Sequence, residues 1–174
     1  MANILKYSIR PLTQEDEPFL WQMLYEAAHL AEEGESTVEA VRNHPLIAKY
    51  VKNWGRKNDF GFLAWELTNH QPVGAVWARL FTGEKQGLGY IDDVTPELAI
   101  AVLPQHRGKG IGRQLLVSLL AAAKLSYPSI SLSVRSSNLD AIHLYKELGF
   151  AIIEGSETIN RVGGISFTMK LSFC

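Results

Sequence analysis

The segment LPQHRGKGIGRQLL, residues 103–116, limits most strongly what this chain can fold into. An apolar run typical of a buried strand, residues 97–104, leads into it, and an apolar stripe of helical spacing follows it. Three glycines lie at the junction: Gly108, Gly110 and Gly112. Glycine at such a junction permits positive φ and lets a ligand approach the backbone. The sequence therefore predicts a strand, a glycine-rich turn and a helix whose N-terminus is open to a ligand.

The chemistry of this junction suits a phosphate group. A helix N-terminus carries unpaired amide groups and a partial positive charge, and Arg107, Lys109 and Arg113 add cations around it. A Walker loop is absent, and the glycine spacing does not match the G-x-G-x-x-G dinucleotide fingerprint. The pattern that remains is R-x-x-G-x-G, formed by Arg107, Gly110 and Gly112. The alternative is a glycine-rich turn without a ligand.

Periodicity along the rest of the chain places this unit in a mixed α/β fold. The predicted element order is β-α-α-β-β-β-α-β-α-β-β, in which antiparallel hairpins lead into a β-α-β unit. That order predicts a mixed sheet with helices on both faces. The predicted elements are a strand around Tyr7 and Ile9, helices beginning near Thr13 and Ser36, strands at 59–67, 72–81, 97–104, 129–134, near 150–154 and at 165–171, and helices after Gly110 and after Asn138.

Length and composition predict one globular domain over residues 1–174, with 47% apolar and 20% charged residues. A net charge of −1 and the lack of a basic stripe argue against a nucleic-acid partner. The charge is uneven, because residues 1–40 hold two cations and eight acidic residues, whereas residues 101–174 hold eight cations and four acidic residues. This asymmetry suits two ligands of opposite charge, or simply two solvated faces.

The sequence carries no signal for a membrane, a disulfide or a metal. Its one cysteine, Cys174, cannot form an intramolecular disulfide, which suits a reducing compartment. The N-terminus lacks the apolar core of a secretory signal, and no run approaches the length of a membrane span. The five histidines lack metal-ligand spacing. We therefore expect a cytoplasmic protein with no membrane partner and no metal.

A second segment, NLDAIHLYKELGF, residues 138–150, makes the prediction more specific. It has the form N-x-x-A-x-x-L-Y-x-x-x-G-F and follows the glycine segment by about thirty residues. Together the two segments, which lie within residues 97–150, resemble the GNAT superfamily of acetyl-CoA-dependent N-acyltransferases. The resemblance implies a six- or seven-stranded, mixed but mostly antiparallel sheet with helices on both faces.

The resemblance also implies acetyl-CoA as cosubstrate and assigns residues to it. The backbone amides of the loop would hold the CoA pyrophosphate, and the edge of the preceding strand would bind pantetheine and polarise the thioester carbonyl. Asn138 matches the family asparagine that contacts the pantetheine arm, a role compatible with a plain helix cap. The residues so assigned are Ile100, Ala101 and Val102 in the strand, and Arg107, Gly108, Lys109, Gly110, Ile111, Gly112 and Arg113 in the loop.

Two catalytic roles follow from the same resemblance. Tyr145 matches the tyrosine that protonates the leaving thiolate, and its alternative is a buried tyrosine on the apolar stripe of the helix. Glu97 lies where many members place the base that deprotonates the amine, directly or through water. Asp92 and Asp93, just upstream, are alternative bases. The implied reaction is direct attack of a bound amine on the thioester, with no covalent enzyme intermediate.

The sequence predicts the acceptor substrate less specifically than it predicts the cosubstrate. In this family the first two helices line the acceptor side, so the acidic residues there suggest a cationic amine or a peptide; a solvated loop is the alternative. Ser133 stands where the subgroup that acetylates protein N-termini has glutamate. A non-catalytic acyl-CoA-binding or regulatory module is the alternative function. Acyl-chain preference and oligomeric state, a homodimer included, stay open. The acidic residues are Glu32, Glu33, Glu35 and Glu39.

Overall fold

The computed structural model describes residues 6–34 and 37–173, and eight strands form one sheet. Neighbouring strands follow the order β1-β2-β3-β4-β5-β8-β6, and β7 also pairs with β8. Of the strand pairings in this part of the chain, that of β4 with β5 is parallel and the others are antiparallel. The mixed, mostly antiparallel sheet is thereby confirmed. The strands are β1 (Tyr7–Pro11), β2 (Phe60–Glu66), β3 (Gln71–Arg79), β4 (Glu97–Val102), β5 (Ser129–Arg135), β6 (Ala151–Ile152), β7 (Thr158–Ile159) and β8 (Ile165–Ser172).

Helices cover both faces of this sheet, as the sequence predicts. Helices α1 (Glu17–Ala27) and α2 (Glu39–Arg42) pack on one face, and α3 (Ile111–Ala123) and α4 (Leu139–Glu147) pack on the other. Successive residues of a strand point to opposite faces. Leu98 of β4 accordingly packs on the α3–α4 face.

The apolar stripe of α3 holds that helix against the sheet. Ile111, Leu115, Leu116 and Leu119 are all buried, and they recur at the spacing of one helical face. Burial of four such side chains contributes of the order of 1.5–3 kcal/mol each to the fold. The position of the helix start relative to β4 is therefore fixed by the core.

Strands β4 and β5 meet at one point and then separate. Glu97 pairs with Ser131, and the Ser131 amide donates to the Pro96 carbonyl at 3.0 Å. No further pairing between these two strands exists in the part of the chain that the structure describes. The remaining length of β4 thus pairs with β3 on one side and faces an open gap on the other.

The structure differs from the predicted elements in two places. β7 is an additional two-residue strand, too short to give a period-two pattern. The second predicted helix is limited to α2 and a 3-10 turn at Ala48–Tyr50, since Pro45 interrupts the segment and the residue before a proline avoids helical geometry. Its predicted cap, Ser36, lies outside the described residues, as does Cys174. None of the described helices is long and apolar enough to cross a bilayer.

Candidate active site

The gap between β4 and β5 opens into a cleft of ≈ 980 Å³ lined by residues from both sides of the sheet. Glu97 contributes from the α1–α2 face and Tyr145 from the α3–α4 face. Of the residues that the sequence assigns to the site, Lys109 does not line the cleft. The cleft does bring together Glu97, Ile100, Ala101, Val102, Arg107, Gly108, Gly110, Ile111, Gly112, Arg113, Asn138 and Tyr145.

The N-terminus of α3 opens into this cleft without a cap. Gly110 is the N-cap residue at φ 83°, and no described side chain accepts a hydrogen bond there. Gly108 also has positive φ, 75°, so both positions favour glycine. A Cβ added at Gly108, Gly110 or Gly112 meets no atom within 4 Å. The helix start therefore presents free amides to open space, which is the geometry that an anion needs.

The cations around this loop are partly committed to other groups. The Arg107 Nε atom donates to the Val102 carbonyl at 2.9 Å, and its Nη2 atom lies 3.1 Å from a Glu26 carboxylate oxygen. Arg113 pairs with Glu147. Because these charges are shared with carboxylates, the amides of the loop are the main donors available to a pyrophosphate.

The exposed edge of β4 presents alternate residues to the gap. The Leu103 amide donates to the Val73 carbonyl of β3, so odd-numbered residues of β4 form their backbone hydrogen bonds with β3. The Pro96 carbonyl accepts from the Ser131 amide of β5, on the opposite edge. The even-numbered residues of β4 therefore direct their amide and carbonyl groups toward the gap. Ile100 and Val102 fit the predicted amide contacts. Ala101 does not, because this alternation turns its backbone toward β3; it offers the cleft only a small side chain.

Asn138 is a helix cap that also lines the cleft. Its side-chain oxygen accepts from the Ala141 amide at 3.4 Å at the start of α4. The cap uses the oxygen, and the amide nitrogen can still donate to a ligand. The two predicted roles are therefore compatible in this geometry.

Tyr145 is buried among apolar residues of the α3–α4 face. Its ring centroid lies 5.8 Å from that of Phe150, and its side chain lines the cleft. Burial raises the pKa of the Tyr145 phenol to about 12, because the charged phenolate would lose its hydration. The hydroxyl thus stays protonated and can act as a donor.

Glu97 is buried at the point where β4 and β5 meet, with 3% of its surface exposed. Its Oε1 atom accepts from the Gly89 amide at 2.9 Å, and its Oε2 atom accepts from the Tyr50 hydroxyl. Burial raises the pKa of Glu97 to about 7, although both hydrogen bonds oppose the rise. A carboxyl with that pKa is suited to proton transfer near neutral pH.

Sequence reasoning missed Tyr50, which lies 47 residues before Glu97. The glycines of the loop before β4 are the only hint of this contact in the sequence, because they allow the loop to pack closely against Glu97 and β5. A Cβ on Gly87 would lie 2.3 Å from a Glu97 oxygen, and one on Gly89 would lie 2.7 Å from the backbone of Leu132. Neither position has room for a Cβ atom without a shift of its neighbours.

The two alternative bases, Asp92 and Asp93, form hydrogen bonds within the loop before β4. The Asp92 carboxylate accepts from the Val94 amide at 3.0 Å, and Asp93 accepts from the Gly83 amide at 3.1 Å and from the Tyr90 hydroxyl. Neither aspartate lines the cleft. These contacts order the loop before β4, and of the three carboxylates only that of Glu97 lines the cleft.

His29 is a titratable group in the cleft to which the sequence analysis assigned no role. It follows the end of α1 at φ 55°, a left-handed position at which glycine is the usual residue. Burial lowers the pKa of His29, and Arg135 lowers it further, so its imidazole is neutral at pH 7. Among the described residues, no group of three or more potential ligands could hold a metal.

The acidic residues predicted for the acceptor side have partners. Glu32 pairs with Arg135, and Glu33 pairs with Arg135 and Arg161. Both arginines also donate to the Ala28 carbonyl at the end of α1, where the helix dipole favours cations. The carboxylate charge is therefore compensated within the chain.

Of the other two acidic residues, the structure describes only Glu39. Glu39 is exposed beside Arg42 and does not line the cleft. Glu35 lies outside the described residues.

Comparison with known proteins agrees with this geometry. The sequence model of the acetyltransferase (GNAT) family matches residues 10–150. A mycothiol acetyltransferase of Rothia mucilaginosa is 29% identical over 157 residues, which is 83% of this chain and 41% of that protein. Matches to the curated relatives cover only 33% to 41% of their length, so those proteins are considerably longer than the matched part.

Solved structures share the fold at low identity. A putative acetyltransferase from Salmonella typhimurium with its cofactor acetyl-CoA has a TM-score of 0.70 at 18% identity, over 97% of this chain and 94% of that one. A spermidine N-acetyltransferase from Vibrio cholerae in complex with CoA and spermine has a TM-score of 0.65 at 20% identity, over 96% and 95%.

The fold that places the splayed strand pair beside the free helix N-terminus is the fold of these solved acetyltransferase structures. Since the family match covers most of the chain, the protein belongs to the GNAT family of acetyltransferases.

Proposed function

We propose that this chain transfers an acetyl group from acetyl-CoA to a primary amine held on the α1–α2 face of the sheet. One observation carries the proposal. The uncapped start of α3, the unpaired edge of β4 and the side chains of Glu97 and Tyr145 all border the same cleft. Pyrophosphate, pantetheine and the two proton-transfer steps thus have a protein partner within one continuous space.

The residues present fit acetyl-CoA. Open space at Gly108, Gly110 and Gly112 allows phosphate oxygens to approach the backbone. The turned-out backbone of Ile100 and Val102 suits an extended arm that adds to the sheet edge. Acetyl-CoA supplies the activated acyl group, and an amide on this edge polarises its carbonyl oxygen.

Glu97 and Tyr145 carry the proton transfers in this proposal. The ammonium form of the amine loses one proton to Glu97, directly or through a water, and the neutral nitrogen then bonds to the thioester carbon in a direct attack. The carbon–sulfur bond breaks, and the Tyr145 hydroxyl gives its proton to the leaving thiolate. The second proton that the nitrogen loses on forming the amide returns to the Tyr145 phenolate.

The structure weakens the basis for a cationic acceptor, because the Glu32 and Glu33 carboxylates have arginine partners. Three exposed apolar side chains also line the cleft: Leu46, Leu88 and Ile159. We therefore propose an amine attached to an apolar group, as in an arylalkylamine or an apolar amino acid, in preference to a polyamine.

A panel of amines tests both the acetyl transfer and the proposed class of acceptor. Release of the CoA thiol is measured with spermidine, phenethylamine, single amino acids and short peptides, and mass spectrometry identifies the product. We expect turnover with apolar amines and little with spermidine. Preference for spermidine would overturn the acceptor assignment. CoA binding in a thermal-shift assay with no thiol release from any amine would instead support the non-catalytic alternative.

The Gly112→Ala variant tests the phosphate loop separately from the fold. Its new Cβ enters open space in the first turn of α3, so stability is unchanged or slightly higher, since alanine favours helix more than glycine does. The same Cβ blocks the close approach of a pyrophosphate. We expect the Kd for acetyl-CoA, measured by calorimetry, to rise about 10- to 100-fold, the loss of one or two charge-assisted hydrogen bonds.

Gly164→Ala is the matched control, because its Cβ makes ordinary contact with Asn160 and Gly164 does not line the cleft. An unchanged Kd in both variants would contradict the assignment of the loop to the pyrophosphate.

A further inference from the structure

Tyr50 occupies a position between the loop before β4 and the carboxyl group of Glu97. Its hydroxyl donates to the Glu97 Oε2 atom and accepts from the Leu88 amide at 2.7 Å. The Gly89 amide holds the other carboxylate oxygen, and the Gly89 carbonyl accepts from the Ser131 hydroxyl at 2.7 Å. Each Glu97 oxygen therefore has one fixed donor.

The backbone and ring of Tyr50 are held independently of that hydroxyl. The Trp77 indole donates to the Tyr50 carbonyl at 3.0 Å, and the Tyr50 ring meets the Phe81 ring edge-on at a centroid distance of 5.2 Å. Removal of the hydroxyl alone therefore leaves the ring in place.

A buried ion pair anchors the segment that carries Tyr50. Arg79 makes two hydrogen bonds to Asp59, at 3.0 and 2.8 Å, and its Nη1 atom donates to the Lys49 and Lys52 carbonyls at 2.8 and 2.7 Å. Arg79 is also the cross-strand partner of Glu97 in the β3–β4 pairing. The Arg79–Glu97 pair of β3 and β4 thus holds the Glu97 carboxylate close to the segment that carries its donor, Tyr50.

We propose that Tyr50 is a positioning residue that orients the Glu97 carboxylate and stabilises its charged form for deprotonation of the amine. This inference rests on the proposed function of Glu97. One lone pair on each oxygen is used by Tyr50 or Gly89, so each oxygen of this cleft-lining carboxylate keeps a further acceptor site. We assign no proton transfer to Tyr50 itself, because its hydroxyl already donates to Glu97 and accepts from the Leu88 amide.

The test is the pH profile of kcat/KM for wild type and for Tyr50→Phe, between about pH 5.5 and about 9. A base must be deprotonated to work, so activity rises with pH through the pKa of Glu97. Phenylalanine removes a donor to the carboxylate, which disfavours the charged form. We expect the acid limb of the profile to move to higher pH by about one unit.

Tyr90→Phe is the matched control in the same loop. It also removes a hydroxyl that donates to a carboxylate, that of Asp93, but neither residue lines the cleft. We expect its profile to match the wild type. In a Glu97→Gln background, the Tyr50 substitution should no longer move any titration, because the group that it tunes is absent.

The outcomes separate this inference from the proposed function. A uniform loss of rate at all pH values in Tyr50→Phe, with an unmoved acid limb, would show a structural role and overturn the inference alone. A Glu97→Gln variant that keeps the wild-type limb would overturn the base assignment and the role of Tyr50 with it. If Tyr50→Phe does not fold, 3-fluorotyrosine at position 50, a stronger donor of nearly the same size, should move the limb to lower pH.

Discussion

Replacement of Tyr145 by phenylalanine is expected to lower kcat by about 10²-fold or more, the usual contribution of a positioned general acid. The substitution keeps the buried ring and its contact with Phe150, so it removes only the hydroxyl. The leaving thiolate then departs without a donor. Because the hydroxyl meets the sulfur only as the carbon–sulfur bond breaks, the Kd for acetyl-CoA should change little.

Steady-state kinetics on an accepted amine and calorimetry with acetyl-CoA measure the two quantities. Tyr127→Phe is a suitable control, since Tyr127 stacks on Phe60 and does not line the cleft. A kcat within twofold of the wild type in Tyr145→Phe would contradict the assignment of Tyr145 as the acid.

Replacement of Glu97 by glutamine is expected to lower kcat/KM by about 10²-fold near pH 8, again within the usual range for a general base. The pKa of about 7 for Glu97 predicts that wild-type activity falls as pH drops through 7, because the carboxyl becomes protonated. The variant lacks this group, so its remaining activity should follow only the ionisation of the free amine. The loss should therefore be largest above pH 7.

The pH profile of kcat/KM with two amines of different pKa checks this prediction, since the wild-type limb near pH 7 should be the same for both. Asp93→Asn serves as the control for the alternative upstream base. Full activity in Glu97→Gln would assign the base role to another group, and His29, which also lines the cleft and has a lowered pKa, is one alternative.

The features predicted well from sequence are those in which the signal is local. The glycine turn, the apolar stripe of α3 and the Asn138 cap each lie within one short segment. Helical spacing and capping residues can be recognised within such a segment without knowledge of the rest of the fold. The order of the elements along the chain and the helices on both faces of the sheet followed from the succession of such segments. β7 escaped prediction because two residues carry no periodicity.

The features that sequence reasoning missed depend on contacts between distant segments. Tyr50 reaches Glu97 across 47 residues, and Arg161 reaches Glu33 across 128. A run of acidic residues looks like free charge in a sequence, although the fold supplies its partners. For the same reason, the sequence could place Glu97 near the cleft but could not show which of its neighbours would set its pKa.

The arrangement of Glu97 and Tyr145 on opposite sides of the sheet bears on how the two substrates combine. In the proposed reaction, the amine would arrive from the side of α1 and the CoA arm would lie toward α3, so neither molecule would block the path of the other to the gap. Such an arrangement would impose no compulsory order of binding. We therefore expect double-reciprocal plots for the pair to intersect to the left of the vertical axis, unlike the parallel lines of a ping-pong enzyme.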